Sequence, residues 1–148
     1  MRQFEITKAY QNKDICLPIR QTGQSAGYDL ESAETITIEP QAIVLVPTGL
    51  KVLVPTNEAL FIFPRSSLGI KKGLMMSNSV GIIDADYYNN PDNEGHIMVP
   101  LFNFRNQSVT IEKGERIAQG VFLSYHKVVG DASENIQRLG GFGSSGQK

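Results

Sequence analysis

Ala42-Ile-Val-Leu-Val46, closed by Pro47, and Leu50-Lys-Val-Leu-Val54, closed by Pro55, are two short β-rich runs separated by a Pro-Thr-Gly turn. Outward from this pair the same signal repeats. Thr35-Ile-Thr-Ile38 alternates, and Leu60–Phe63, Ile97–Phe104, Val109–Ile111 and Gly120–Tyr125 are further short apolar or alternating runs. Asn89-Asn-Pro91 and Glu112-Lys-Gly114 supply turns between them. Many short strands with Pro/Gly turns predict an all-β sandwich, barrel or jelly roll. Pro100, inside an apolar run, points to an edge strand or a bulge. One short helix is expected, capped by Ser66 or Ser67 and ended by Gly73 after Lys71-Lys72, the charge order that a helix dipole favours.

The bulk properties narrow the function. A chain of 148 residues with 41% hydrophobic residues is one globular domain. No apolar run approaches the ~20 residues of a membrane span, and the first eight residues lack the apolar stretch of a secretory signal. A lone Cys16 excludes an internal disulfide framework and a Cys-rich metal site. These features predict a cytoplasmic protein. A net charge of −1 provides no field for nucleic acid. A polyanionic ligand would be held by local arginines, backbone N–H groups and a metal. After Tyr125 the composition shifts to Gly140, Gly141, Gly143 and Gly146 with Arg138 and Phe142 among them. Residues 1–125 therefore read as the core, and residues 126–148 as a flexible arm. Such an arm is either a frayed end or a phosphate-binding lid that crosses to a site elsewhere.

Four strings carry chemistry. Pro64-Arg-Ser-Ser-Leu-Gly69 combines a guanidinium, two hydroxyls and backbone N–H groups at a helix start, which suits phosphate. A capped turn with an exposed arginine has the same composition. Gly81-Ile-Ile-Asp-Ala-Asp-Tyr87 places Asp84 and Asp86 at i and i+2, on one face if extended. Asp is common in turns, but the two isoleucines before Asp84 predict a partly sheltered carboxylate able to act as a general base. Ala26-Gly-Tyr-Asp-Leu30 sets an acid beside a close-approach glycine, and Arg116-Ile-Ala-Gln-Gly120 sets Arg116 and Gln119 on one turn above a buried Ile117. His96 and His126, 30 residues apart, lack metal-ligand spacing and read as surface or strand positions.

Taken in order, Ala26–Leu30, Pro64–Gly69, Gly81–Tyr87, Arg116–Gln119 and Gly140–Gly146 resemble the five motifs of the trimeric dUTPase family across nearly the whole chain. The resemblance implies a distorted jelly roll that assembles as a homotrimer with sites shared between subunits. It also implies hydrolysis of dUTP to dUMP and pyrophosphate with Mg²⁺, which keeps uracil out of DNA and supplies dUMP for dTMP synthesis. By position, Asp84 is the base that activates water for in-line attack on the α-phosphorus. Asp29 acts on Mg²⁺ through water. Arg65, Ser66, Ser67 and Gln119 contact phosphates, and Asn78 with the backbone after it forms a hairpin pocket for uracil. Tyr87 lies under the sugar and excludes a 2′-hydroxyl. Phe142 stacks over uracil while Arg138, Ser144 and Ser145 close on the phosphates.

Two departures from the family pattern stand out. Arg138-Leu-Gly-Gly-Phe142 is one residue shorter than the usual fifth motif, which leaves Arg138 a different path to its phosphate. Tyr88-Asn-Asn-Pro-Asp-Asn-Glu94 intervenes before Gly95, a longer loop that resembles the branch found in Gram-positive bacteria and their phages. A phage origin would add a regulator protein as a partner. The rival within the same fold is dCTP deaminase, which the segment Gly95–Asn103 also resembles. Pro100 stands where that enzyme carries its catalytic Glu, and proline can neither give nor take a proton.

Overall fold

The computed structural model describes residues 1–133 and 135–141. Eleven strands run β1 (Gln3–Ile6), β2 (Tyr28–Glu31), β3 (Ile36–Ile38), β4 (Ile43–Pro47), β5 (Leu50–Leu53) and β6 (Glu58–Pro64). They continue with β7 (Leu74–Met76), β8 (Gly81–Ile83), β9 (Met98–Asn103), β10 (Val109–Ile111) and β11 (Arg116–Ser124). They pair antiparallel into a four-stranded sheet β2-β11-β6-β8, a three-stranded sheet β4-β9-β7, and the ribbons β1-β5 and β10-β3. This is an all-β, jelly-roll-like fold, one of the architectures the short runs allow and the one the family resemblance implies.

All four sheets share one core. Leu30, Ile38, Leu50, Leu60, Leu74, Leu101, Ile111 and Ile117 are fully buried and come from eight different strands. Burying each such side chain contributes about 1.5–3 kcal/mol, which makes their packing the main force holding the sheets together. On β4 the alternation is visible residue by residue: Ile43 and Leu45 face out, and Val46 is fully buried. Lys51 on β5 is buried and is matched by Glu94 Oε1 and Asn89 Oδ1, each 2.7 Å from Nζ. Arg2 forms a bidentate ion pair with Glu58 and fastens the amino terminus to the start of β6.

Some expectations are revised. Pro100 lies in β9, the central strand of its sheet, opposite Leu45 of β4. Its carbonyl accepts from Ser77 N, and β7 ends at Met76 opposite Leu101. The missing N–H therefore falls where β7 has ended and no ladder bond is needed. The expected helix is a turn whose body, Leu68–Lys72, is π-helical. Ser67 stands at its start but makes no side-chain capping bond, and Gly73 ends it at φ 67° as anticipated. Two 3₁₀ turns, Lys8–Tyr10 and Ala85–Tyr87, complete the regular elements among the described residues. Residues 77–80 link β7 to β8, which belong to different sheets. His96 is buried rather than at the surface, accepts from Gly49 N through Nε2 at 2.9 Å, and packs on Tyr10. Beyond β11 the described residues of the arm form no strand or helix.

Candidate active site

Strand β8 ends at Ile83, which is buried opposite Leu60 of β6, and this anchors the start of the acidic turn. Asp84 leaves the strand in extended conformation, and Ala85–Tyr87 then close a 3₁₀ turn. The two aspartates thus share a face through a turn and not through an extended strand. Both reach Arg138: Nη2 donates to Asp84 Oδ2 at 2.7 Å and Nε donates to Asp86 Oδ1 at 2.8 Å. Asp84 lines a cavity of about 260 Å³ with Asn78, Gly81, Ile82, Tyr87 and Arg138. Partial burial pushes the Asp84 carboxyl above the ordinary range; Arg138 works against this and Asp86 adds to it. A raised carboxylate is a better base, which is what proton abstraction from water requires.

Apolar Met76, Ile62 and Met98 also line the cavity. A Cβ on Gly81 would come within 3.3 Å of Ile62 Cβ and 3.6 Å of Asn78 Nδ2, so glycine keeps room for a flat ligand beside the Asn78 amide. Tyr87 is 5% exposed, with its hydroxyl donating to His96 O at 2.8 Å. The Arg138 guanidinium stands 5.8 Å from the centre of its ring. Gly141 N donates to Asp92 Oδ2, so the arm rests on the loop that follows Tyr87.

The second cluster is built on β2 and β11. A register shift between Arg116 and Ala118 sets Arg116 opposite Glu31 and Gln119 opposite Asp29. Without it, residues three apart on a strand would face opposite ways; the bulge puts Arg116 and Gln119 on one face. The motif Arg116–Gly120 is therefore bulged strand and not a turn, with Ile117 fully buried as expected. Asp29 Oδ2 accepts from Gln21 Nε2 at 2.7 Å and lies 3.5 Å from Arg116 Nη1, while Oδ1 is 3.4 Å from Arg65 Nε. Gln119 Nε2 donates to Pro64 O at 3.3 Å, and a Cβ on Gly27 would strike Gln119 Oε1 at 2.6 Å. Ser66 is exposed and Ser67 half-buried at the start of the π-helical turn. Two arginines and an amide around one carboxylate, with two hydroxyls following Arg65 in the chain, suit an anion with an associated cation.

The clusters lie at opposite ends of β6. Asp84 follows Ile83, which pairs with Leu60, whereas Arg65 follows Pro64 at the other end. Five residues of extended strand from Leu60 to Arg65 span about 17 Å. Among the described residues no three His, Cys, Asp or Glu side chains form a group able to hold a metal by themselves. Asp29, with Glu31 two residues on along the same strand face, still offers carboxylates beside a cavity that Arg116 also lines. That fits a hard cation which keeps most of its waters and takes its other ligands from phosphate.

The dUTPase family model matches residues 13–146 of the chain. A deoxyuridine 5′-triphosphate nucleotidohydrolase of Lactococcus lactis is 51% identical over 147 residues, covering 99% of this chain and 98% of that one. The chain belongs to the dUTPase family. The crystal structure of dUTPase from Streptococcus mutans superposes with a TM-score of 0.83 at 50% identity, covering 86% of this chain and 98% of that one. A mutant of the Staphylococcus bacteriophage 80alpha dUTPase, solved with dUpNHpp, superposes over 99% of both chains with a TM-score of 0.69 at 27% identity. The two Gram-positive relatives agree with the branch indicated by the loop before Gly95.

Of the expected dUTPase residues, Asp84, Asn78, Tyr87 and Arg138 meet around one cavity. In the second cluster Arg65 reaches Asp29, Gln119 pairs opposite Asp29 and bonds Pro64 O, and Ser66 and Ser67 follow Arg65 in the chain. Phe142, Ser144 and Ser145 lie outside the described residues. Sequence reasoning missed Gln21, whose amide holds Asp29, and the double grip of Asp84 and Asp86 on Arg138. It also missed Asn90 and Asn93, which bond Tyr87; their position next to the third motif was the available signal.

Proposed function

We propose that this chain is a dUTP diphosphatase that hydrolyses dUTP to dUMP and pyrophosphate, with Asp84 as the general base. The observation that carries this reading is a dUTPase-family chain in which Asp84, its basicity raised by burial, shares a nucleobase-sized cavity with Asn78, Gly81 and Tyr87. The Asn78 amide and backbone after it read the uracil edge, and the Tyr87 ring carries the deoxyribose. Asp84 accepts a proton from water; the water oxygen bonds to the α-phosphorus while the bond to the bridging oxygen breaks and pyrophosphate leaves. Arg65, Ser66, Ser67 and Gln119 hold the phosphates, and Arg138, Phe142, Ser144 and Ser145 close over the nucleotide as residues 126–148 fold down as a lid. Mg²⁺ bound to the triphosphate would offset phosphate charge, with Asp29 placed to hold it through water.

The active enzyme is a homotrimer in which a nucleotide lies between copies. The two clusters at opposite ends of β6 support this, because contacts to the α- and β-phosphates must lie within a few ångströms of the base. The outer face of β4-β9-β7 supports it too. Ile43, Leu45 and Met75 are exposed there beside Phe102 and Pro100, an apolar face that a second copy would cover. No helix among the described residues is long and apolar enough to cross a membrane, and the exposed free thiol of Cys16 agrees with a reducing cytoplasm.

The test offers dUTP, UTP, dTTP and dCTP in turn, each with Mg²⁺, and identifies the products. The expected result is pyrophosphate from dUTP far ahead of the others. Orthophosphate from dUTP, or ammonia from dCTP, would overturn the reading.

A further inference from the structure

Tyr87 has two hydroxyl bonds, and the loop between it and Gly95 makes one of them. Its Oη donates to His96 O at 2.8 Å and accepts from Asn93 Nδ2 at 2.9 Å. With a donor and an acceptor both satisfied, the plane and height of the ring are fixed from its far end. Asn93 is itself held rigidly. Its Oδ1 accepts from Asn90 Nδ2 at 2.8 Å and from Gly95 N at 3.1 Å, while its own N–H donates to Asn90 Oδ1 at 3.1 Å. Asn90 Nδ2 also bonds Tyr87 O at 2.8 Å, which ties the same loop to the tyrosine backbone. The base of the loop is clamped by buried Lys51, which donates to Asn89 Oδ1 and Glu94 Oε1. Asn89, Glu94 and Gly95 all take positive φ, at 56°, 65° and 85°, so this local geometry is held by the bonds around it.

We propose that Asn93 is a positioning residue for the Tyr87 ring and that, through that ring, the loop Tyr88–Glu94 sets the discrimination between deoxyribose and ribose. The inference rests on the reading of Tyr87 as the sugar platform. A 2′-hydroxyl adds a single oxygen on the side the ring would press against, so a ring free to shift lowers the steric penalty that excludes ribose. Asn93→Asp isolates the effect. It keeps the side-chain volume and the acceptor used by Asn90 and Gly95, but it replaces the donor to Tyr87 with a second acceptor.

The experiment measures the ratio of kcat/KM for dUTP to kcat/KM for UTP in the full-length protein, its Asn93→Asp and Tyr87→Phe variants, and the double variant. Loss of one hydrogen bond predicts a ratio lowered roughly three- to tenfold in Asn93→Asp, with kcat on dUTP within about twofold of the parent. Tyr87→Phe should lower the ratio similarly, and the double variant should be no worse than Tyr87→Phe, since both act through one hydroxyl. An unchanged ratio in Asn93→Asp, or an effect that adds to that of Tyr87→Phe, overturns the proposal. If Asn93→Asp fails to fold, Tyr87→Phe alone decides, and an unchanged ratio overturns it. Tyr87→Ala separates the two levels. A collapsed ratio there with Asn93→Asp silent removes Asn93 only, whereas an intact ratio in Tyr87→Ala removes the sugar platform itself.

Discussion

Arg138 and the two aspartates form a small charged cluster at the residue scale. Burial raises the Asp84 carboxyl, Asp86 adds like charge, and Arg138 opposes both. In the free enzyme the acid limb of kcat/KM therefore lies above the ordinary aspartate range, because activity requires the ionised base and is lost as pH falls through its raised pKa. Arg138→Gln removes the one influence that lowers this pKa, so the acid limb should move to higher pH. A pH profile of the variant checks the sign; movement to lower pH would remove Asp84 as the titrating base. The guanidinium also stands over the Tyr87 ring. In the proposed reading it would give up this position, and its ion pairs, as the sugar and phosphates enter, which is how the arm would act as a lid.

At the scale of elements, the loop that follows Tyr87 turns back on Gly95, whose φ is 85°. A Cβ there would lie 2.7 Å from Tyr87 O and 3.0 Å from Tyr88 Cα. Gly95→Ala should destabilise the fold by on the order of 2–3 kcal/mol, combining left-handed strain with a backbone clash; denaturant unfolding measures it. The strands were legible because β-branched runs and prolines mark them: Ile43–Pro47 and Leu50–Leu53 fall where Ala42–Val46 and Leu50–Val54 were read. Leu74–Met76 and Gly81–Ile83 are hidden because, unlike the equally short Ile36–Ile38 and Val109–Ile111, they show no apolar–polar alternation. The bulge between Arg116 and Ala118 was illegible for a different reason. A register shift belongs to a strand pair, and a single strand does not display it. The site motifs were legible only as an ordered set, whereas Asn90, Asn93 and His96 act through contacts that form after the chain has folded.

For the whole molecule, the proposed shared site, argued from the separation of the two clusters along β6, would make assembly part of catalysis. Met75 is 46% exposed on the outer face of β4-β9-β7, beside Phe102 of β9, so Met75→Glu should leave the monomer folded while opposing association through an uncompensated charge. Light scattering should then report a smaller species, and dUTP turnover should fall with it; a fully active monomer would argue against a shared site. Complementation tests the central claim most directly. Asp84→Asn lacks the base but keeps the phosphate cluster, and Arg65→Ala lacks part of the phosphate cluster but keeps the base. Each variant alone should be nearly inactive. Co-assembled in equal amounts, a shared site should recover about a quarter of native dUTP turnover, because only sites pairing an intact Asp84 with an intact Arg65 from another copy work. Turnover no higher than that of the separate variants would place both clusters' work within one copy and contradict the account.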